Sequence, residues 1–203
     1  MSSSPPHPDF PVGATNPTGP ETTLQAPWRL EYLEALSASE KRTGGPPPTG
    51  SGSFLRDYWL QPQSDEVNHV IVRSPHGMVL LNAFPYANGH LLIALGEGKP
   101  RLLDYDATDR QRLWRLADLG TDLVERTLEC QGVNVGLNQG RAAGAGVPGH
   151  LHVHVVPRWG GDSNFISVVG RVRVIPSSLS AMAVRLRATW QKIEPAWREE
   201  IER

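Results

Sequence analysis

Five short segments of the chain, rich in valine, isoleucine and leucine and bounded by turn residues, have a pattern typical of β-strands. Three of these segments lie close together, at residues 67–74, 77–84 and 89–95, and the sequence "SPHG" between the first two is typical of a hairpin turn. The other two lie at residues 132–138 and 150–157. We therefore expect three strands in the first half of the chain and two in the second.

Two longer segments repeat their apolar residues at helical spacing. Residues 106–131 carry Leu113, Leu116 and Leu123 on one face, and Thr108 is the predicted N-cap. The C-terminal segment has a similar pattern, which we expect Pro195 to interrupt. The order β-β-β-α-β-β-α predicts an α+β fold with a mainly antiparallel five-stranded sheet, a long helix and a C-terminal helix.

Proline, glycine and serine are concentrated near the N-terminus and divide the chain into parts. Residues 1–25 contain few large apolar side chains and are predicted to be a disordered tail. Residues 26–41 form an amphipathic stretch that we expect to dock as a helix, and residues 42–53 are predicted to be a flexible linker. The catalytic body is then assigned to residues 54–194, and residues 195–203 to a C-terminal tail.

Charge and composition narrow the classes of partner. With 20 basic and 21 acidic residues the formal net charge is −1, so no general attraction to nucleic acids or to anionic membranes is expected. The sequence has neither a secretory signal pattern nor an apolar run long enough to span a membrane, which predicts a soluble cytoplasmic protein. Cys130, the single cysteine, excludes an internal disulfide and is expected to pack on a helix.

Candidate chemistry is concentrated in "GHLHVHVVP" at residues 149–157. In a strand, side chains two positions apart share a face, so His150, His152 and His154 are predicted to lie together. Packing in the core is a disfavoured explanation, because three buried histidines would each need polar partners. A metal site is also disfavoured, because the backbones of His150 and His154 would be about 13 Å apart on a flat strand. Nucleophilic catalysis at phosphorus is the favoured interpretation, since a neutral imidazole held in one tautomer is a good nucleophile.

The segment before these histidines supports a phosphate substrate. Residues 134–149, "NVGLNQGRAAGAGVPG", contain five glycines and run directly into the histidine segment. Backbone amides of a glycine-rich loop can bind phosphate oxygens without a net basic charge, although a long hairpin loop would also explain the glycines. Their position next to the histidines favours phosphate binding.

Three motifs together resemble the histidine triad (HIT) family of nucleotide hydrolases and transferases. They are "HLHVHVV", the "NQG" upstream of it, and "LNAFPYANGHLLI" at residues 81–93. The stretches "APWRLEYL" at 26–33 and "HVVPRWGGDSNFISVVG" at 154–170 resemble one branch of the family, the bacterial diadenosine tetraphosphate phosphorylases.

The resemblance implies unequal roles for the three histidines. His152 would be the nucleophile that becomes a covalent nucleotidyl-imidazole, with its tautomer fixed by a backbone carbonyl of the same strand. His154 would contact the phosphate and the departing oxygen. His150 would support the site from behind.

The resemblance also implies a set of substrate-binding residues. Asn138 and Gly140, in the Asn-x-Gly motif, would bind phosphate with the loop amides. Asn82 would contact the ribose, although a role in forming the turn explains it equally well. His90 would support the triad, and Trp159 is a candidate to stack on a base, with core packing as the alternative.

Many relatives of this branch carry a Cys-x-x-Cys zinc motif where this chain reads "GSFL". Gly52 and Leu55 stand in the cysteine positions and cannot bind zinc, so no metal site is expected. No cofactor is expected to be required, and magnesium would enter only with the nucleotide substrate.

The implied function is nucleotidyl transfer on dinucleoside polyphosphates by a homodimer. With inorganic phosphate as second nucleophile, diadenosine tetraphosphate would give ATP and ADP. Two alternatives stay open. One is a hydrolase of dinucleoside polyphosphates or nucleoside phosphoramidates, which uses water and releases a nucleoside monophosphate. The other is a nucleotide-binding regulatory module.

Overall fold

The computed structural model of the 203-residue chain describes residues 52–162 and 176–203. The predicted tail at 1–25, the docking helix at 26–41 and nearly all of the linker at 42–53 lie outside the described residues. So does most of the segment that follows the histidines, residues 163–175.

In the described residues five strands form one antiparallel sheet, as the strand-like segments predicted. The order across the sheet is β1-β2-β3-β5-β4, so the last strand of the chain lies inside the sheet and β4 lies at one side of it. All four pairings are antiparallel. The strands are β1 (Val70–Arg73), β2 (Gly77–Leu81), β3 (Leu91–Leu95), β4 (Gly132–Leu137) and β5 (Val153–Arg158).

Two long helices cover one face of the sheet. Helix α2 spans Ala107–Leu128 and helix α3 spans Leu179–Glu202, and both pack on β-strand side chains in the main hydrophobic core. Buried aliphatic residues of this core include Ile93, Leu119 and Leu186, each with an exposure of 0%. Removing this apolar surface from water is the main stabilising contribution to the sheet.

The start of α2 differs from the prediction. Asp106, and not Thr108, is the N-cap, because its carboxylate accepts a hydrogen bond from the Asp109 amide at 2.8 Å. A carboxylate two residues earlier satisfies the same unpaired amides and also suits the positive end of the helix dipole. The helix ends at Leu128, with Glu129 in the left-handed conformation, so Cys130 follows the helix and is half-buried.

Pro195 does not interrupt the C-terminal helix, and the prediction of an interruption is wrong. Helix α3 continues through Pro195 to Glu202, so residues 195–203 are not a separate tail. Proline removes one helical hydrogen bond, but tertiary contacts on both sides hold the helix together. Ile193 and Ile201 are both buried in the core, and the Trp197 indole donates to the Asp122 carboxylate at 2.8 Å.

A short helix that the sequence pattern did not predict covers part of the other face. Helix α1 spans Phe54–Leu60 and is capped by Ser53, the last residue of the predicted linker. Its Leu55 has an exposure of 0% and packs with sheet residues such as Leu80 and Leu92 in a second, smaller core. The described part of the chain also contains three single turns of 3₁₀ helix, at Pro62–Ser64, Leu102–Asp104 and Arg141–Ala143.

None of the helices in the described parts of the chain has the length and apolar character that crossing a membrane requires.

Candidate active site

The three histidines lie where the glycine-rich segment enters β5. The strand begins at Val153, so only His154 belongs to it, and His150 and His152 precede it. His150 and His152 are almost fully buried, with exposures of 1% and 5%, whereas His154 is half-buried. The ring centroids of His152 and His154 lie 4.9 Å apart, in an edge-on arrangement.

Both ring nitrogens of His150 are engaged by the protein. Its Nε2 lies 2.8 Å from the carbonyl oxygen of Leu95, and its Nδ1 lies 2.9 Å from the Ser53 hydroxyl. Because a carbonyl oxygen only accepts, Nε2 carries the hydrogen and Nδ1 accepts from Ser53. The ring also lies against Gly98, where a Cβ would come within 2.6 Å of it. His150 therefore joins α1 to the loop after β3.

His152 has the opposite tautomer. Its Nδ1 lies 2.9 Å from the backbone carbonyl oxygen of His150, so Nδ1 carries the hydrogen and Nε2 keeps its lone pair. This hydrogen bond is the one that the family resemblance implied for this residue. Burial lowers the pKa of the His152 imidazole, which favours the neutral, nucleophilic form at pH 7.

His154 is connected to a fourth histidine. The Nε2 atom of His90 lies 2.9 Å from Nδ1 of His154, and the backbone amide of Tyr86 donates to Nδ1 of His90 at 3.0 Å. The amide fixes His90 with a hydrogen on Nε2, so Nδ1 of His154 accepts and Nε2 of His154 carries the hydrogen. Burial, with the neighbouring His152, lowers the pKa of His154 to about 4.

Asn82 lies at the end of β2, beside this relay. Its amide oxygen accepts from the Phe84 amide at 3.0 Å, as in an Asx turn, and its amide nitrogen lies 3.2 Å from Nδ1 of His90. Both polar atoms therefore contact the protein. These contacts favour the turn-forming interpretation, and the ribose contact implied by the resemblance stays a prediction.

The pairing of β4 with β5 positions the Asn-x-Gly motif. Gly136 pairs with His154 and Leu137 with Val153, so Asn138 follows at the level of His152. Gly140 has φ 80° and ψ 163°, a backbone conformation that is essentially confined to glycine. A Cβ at Gly136 would meet no atom within 4 Å, which leaves space opposite His154. The register thus brings the end of β4, which leads into the Asn-x-Gly motif, next to the start of β5, and phosphate binding by the motif stays a prediction.

Trp159 is not part of this cluster. It follows β5 at the opposite end from the triad, about 16 Å along the strand from His154 at 3.3 Å per residue. Its backbone amide donates to the Asp162 carboxylate at 3.2 Å. Within the described residues its indole makes no ring contact with the triad, so its role in binding a base stays a prediction.

The donor set does not fit a zinc ion. Within residues 52–162 and 176–203, no group of three or more histidine, cysteine or acidic side chains is arranged to hold a metal. Gly52 has no ligating side chain, Leu55 is buried in the second core, and both nitrogens of His150 already have protein partners. Ser53, in the same "GSFL" segment, instead contacts His150.

Two residues of the site were missed by sequence reasoning. Ser53 was assigned to the linker, yet it contacts His150, which is 97 positions away. Tyr86 lies in the motif at residues 81–93 without a predicted role, yet its ring stacks on His154 with centroids 5.7 Å apart and an interplanar angle of 18°. The position of Tyr86 four residues before His90 was the one available signal.

The arrangement places two neutral imidazoles of opposite tautomer side by side. His152 offers a lone pair on Nε2, and His154 offers a hydrogen on Nε2. A nucleophile next to a hydrogen-bond donor is suited to displacement at phosphorus, where one oxygen departs as the new bond forms.

Comparison with known proteins agrees with this geometry. The family model described as "HIT domain" matches residues 63–161. A protein named "AP-4-A phosphorylase" from Mycobacterium tuberculosis strain H37Rv is 35% identical over 170 residues, which are 83% of this chain and 84% of that protein.

Other relatives carry related names. A protein named "Bifunctional bis(5'-adenosyl)-triphosphatase/adenylylsulfatase FHIT" from Arabidopsis thaliana is 28% identical over 54% of this chain and 61% of its own length. Among solved structures, a Zn-bound histidine triad family protein from Mycobacterium smegmatis aligns with a TM-score of 0.57 and 23% identity. That alignment covers 69% of this chain and 96% of the solved chain, and it shows a shared fold.

Proposed function

Because the chain belongs to the HIT family, we propose that it transfers a nucleotidyl group from a dinucleoside polyphosphate through a covalent nucleotidyl-histidine. Its proposed reaction is phosphorolysis of diadenosine tetraphosphate to ATP and ADP. The observation that carries the proposal is the hydrogen bond from His152 Nδ1 to the His150 carbonyl, which leaves Nε2 as the nucleophilic atom.

In the first half-reaction, Nε2 of His152 attacks the α-phosphorus of one adenosine. A P–N bond forms, the bond from phosphorus to the bridging oxygen breaks, and its electron pair leaves with ATP. The imidazole then carries a positive charge, which the His150 carbonyl oxygen at Nδ1 stabilises. The Nε2 hydrogen of His154 donates to the departing oxygen, where negative charge develops.

In the second half-reaction, an oxygen of inorganic phosphate attacks the same phosphorus. The P–N bond breaks, ADP forms, and His152 returns to its neutral state. Asn138 and the amides around Gly140 are proposed to bind the phosphate oxygens in both steps, which the pairing of Leu137, one residue before Asn138, with Val153 supports. Dividing the displacement into two covalent steps lets one site accept different second nucleophiles.

The second nucleophile distinguishes this proposal from a hydrolase, which is the activity that the Arabidopsis relative is named for. Diadenosine tetraphosphate is incubated with the protein and magnesium, with and without phosphate, and the nucleotides are separated by chromatography. ADP and ATP formed only with phosphate support the phosphorylase. AMP released at equal rates under both conditions would refute it in favour of the hydrolase, and binding without turnover would indicate a regulatory module.

The nucleophile is tested by substitution. His152→Ala is expected to abolish turnover and leave nucleotide binding intact, and quenching the wild-type reaction with base should preserve a labelled protein–nucleotide adduct. His76→Ala is the matched control, because His76 contacts the backbone of Glu202 outside the site. Substantial turnover by the His152 variant would show that the nucleophile is assigned to the wrong residue.

The proposal includes a homodimer, as the family resemblance implies. Strand β4 pairs on one side with β5, and its residues Asn134, Val135 and Gly136 are exposed. Val135 is a β-branched residue with 42% exposure in β4, an outermost strand of the sheet that the described residues form, and the outer side of such a strand can pair with another strand. Light scattering after gel filtration tests this, and a mass near 22.3 kDa would contradict the dimer.

A further inference from the structure

The exposed aromatic ring of Tyr86 lies beside His154, which donates a hydrogen bond to the departing oxygen in the proposed mechanism. The side chain of Tyr86 is 50% exposed, although its backbone amide is fixed by the hydrogen bond to His90. Its ring centroid lies 4.6 Å from that of His90 and 5.7 Å from that of His154. The site therefore presents a flat, partly exposed ring held in place by the buried relay.

The rings are arranged in an order. His152 lies next to His154 with centroids 4.9 Å apart, and Tyr86 stacks on His154, whereas no ring contact joins Tyr86 to His152 in the described part of the chain. Under the proposed function, His152 retains one nucleotide and the other departs past His154. Tyr86 is thus on the side of the departing nucleotide.

The environment of Tyr86 suits a nucleobase better than a phosphate. The ring lies at 18° to that of His154, so the two rings are stacked nearly parallel on each other. Burial lowers the pKa of His154 to about 4, so the stacked pair is uncharged at neutral pH. Nucleobases stack on exposed aromatic side chains irrespective of base identity, because every base has a π-face.

We infer that Tyr86 forms a stacking subsite for the base of the departing nucleoside. The inference rests on the proposed function, since it assumes that the retained nucleotide is bound to His152. Three phosphates and a ribose separate the departing base from the attacked phosphorus in diadenosine tetraphosphate. This linker is long enough for the departing base to fold back and lie on the surface of the site beside His154.

A pair of substrates isolates this contact. Diadenosine tetraphosphate and adenosine 5′-tetraphosphate share the attacked adenosine and the four phosphates, but the second compound lacks the departing nucleoside. The readout is the ratio of kcat/KM for the first compound to kcat/KM for the second. Tyr86→Ala is expected to lower this ratio about tenfold, which corresponds to about 1.4 kcal/mol and agrees with the lower range for one base stacked on an aromatic ring.

Two further variants test the assignment. Tyr86→Phe keeps the aromatic face and is expected to keep the wild-type ratio. Phe84→Ala removes another exposed ring of the same loop, 84% exposed, and is also expected to leave the ratio unchanged. If Phe84→Ala lowers the ratio of the two kcat/KM values as much as Tyr86→Ala does, the assignment to Tyr86 is refuted.

An unchanged ratio in Tyr86→Ala would overturn the inference. If both substrates lose activity equally, Tyr86 acts through His154 or on the retained nucleoside, and if neither loses activity the ring has no role in binding. A wild-type protein that turns over neither compound would refute the proposed function itself, and the inference with it. Thermal unfolding of each variant separates these results from a loss of folded protein.

Discussion

Replacing Ser53 by alanine tests the contact between α1 and the triad. The Ser53 hydroxyl donates to Nδ1 of His150 at 2.9 Å and accepts from the Arg56 amide at a longer 3.4 Å. Alanine removes both hydrogen bonds. His150 is 1% exposed, so water does not readily replace the lost donor at its Nδ1 atom.

The magnitude follows from these two contacts. A buried acceptor left without a partner costs about 1–3 kcal/mol. Losing an N-cap costs about 1 kcal/mol, but the 3.4 Å distance to the Arg56 amide indicates a weak cap that contributes only part of this. We expect the free energy of unfolding to fall by about 2 kcal/mol, or the Tm by about 4–8 °C for a chain of this size.

The assay is thermal and urea unfolding of the wild type, Ser53→Ala and Ser53→Thr. Threonine keeps the hydroxyl and is expected to restore most of the stability. Nitrogen NMR of the imidazoles should show a shifted Nδ1 resonance for His150 in the alanine variant alone. Equal stability of the alanine variant and the wild type, together with an unshifted Nδ1 resonance, would refute the tethering role of Ser53.

Three other predictions concern Gly98 and the triad histidines. Gly98→Ala should destabilise the protein by about 1–3 kcal/mol, because the added Cβ would lie 2.6 Å from the buried His150 ring. Gly132→Ala is the control, since a Cβ there would meet no atom within 4 Å. Equal Tm values for the two variants would contradict this prediction. The pKa values of His152 and His154 are lowered in the folded state, so the unfolded chain binds more protons in acid. Urea unfolding should therefore show a free energy of unfolding that rises from about pH 4 to pH 6.5. Above pH 6.5 these two groups should add no further stability. A flat profile over that window would exclude buried neutral histidines. The acid limb of kcat/KM should have an apparent pKa below the 6.5 of a free imidazole, since attack requires neutral His152, and a limb above 6.5 would contradict this.

Local pattern was sufficient to predict the sheet and the long helices but not the short helix. Runs of apolar and β-branched residues between turn residues indicated all five strands, and helical spacing indicated α2, because each pattern extends over several residues. Helix α1 has seven residues and follows Gly and Ser, which resemble a linker. Its stability comes from tertiary contacts, including the Trp59 ring lying against Gly96 and the Arg56 guanidinium donating to the Gly96 carbonyl at 2.7 Å. Contacts of this kind leave no periodic signal in the sequence.

The candidate site was predictable in its residues and not in its hydrogen bonds. The spacing of His150, His152 and His154 identified the triad, and the family resemblance implied the bond between His152 and the His150 carbonyl. Which nitrogen of His154 carries the hydrogen depends on His90, which is 64 positions earlier, and on a backbone amide. Sequence spacing predicts neither of these two contacts, because His90 is distant in the chain and a backbone amide is present in nearly every residue type.

The opposite tautomers of His152 and His154 depend on separate parts of the fold. The tautomer of His152 depends on the carbonyl of His150, whose own ring is held by Ser53 of α1 and by Leu95 of β3. The tautomer of His154 depends on the turn between β2 and β3, through Tyr86 and His90. A change in α1 should therefore affect the attacking atom first, whereas a change in the turn should affect the departing oxygen. Three histidines at alternate positions thus acquire different chemistry because each contacts a different element of the sheet or its loops.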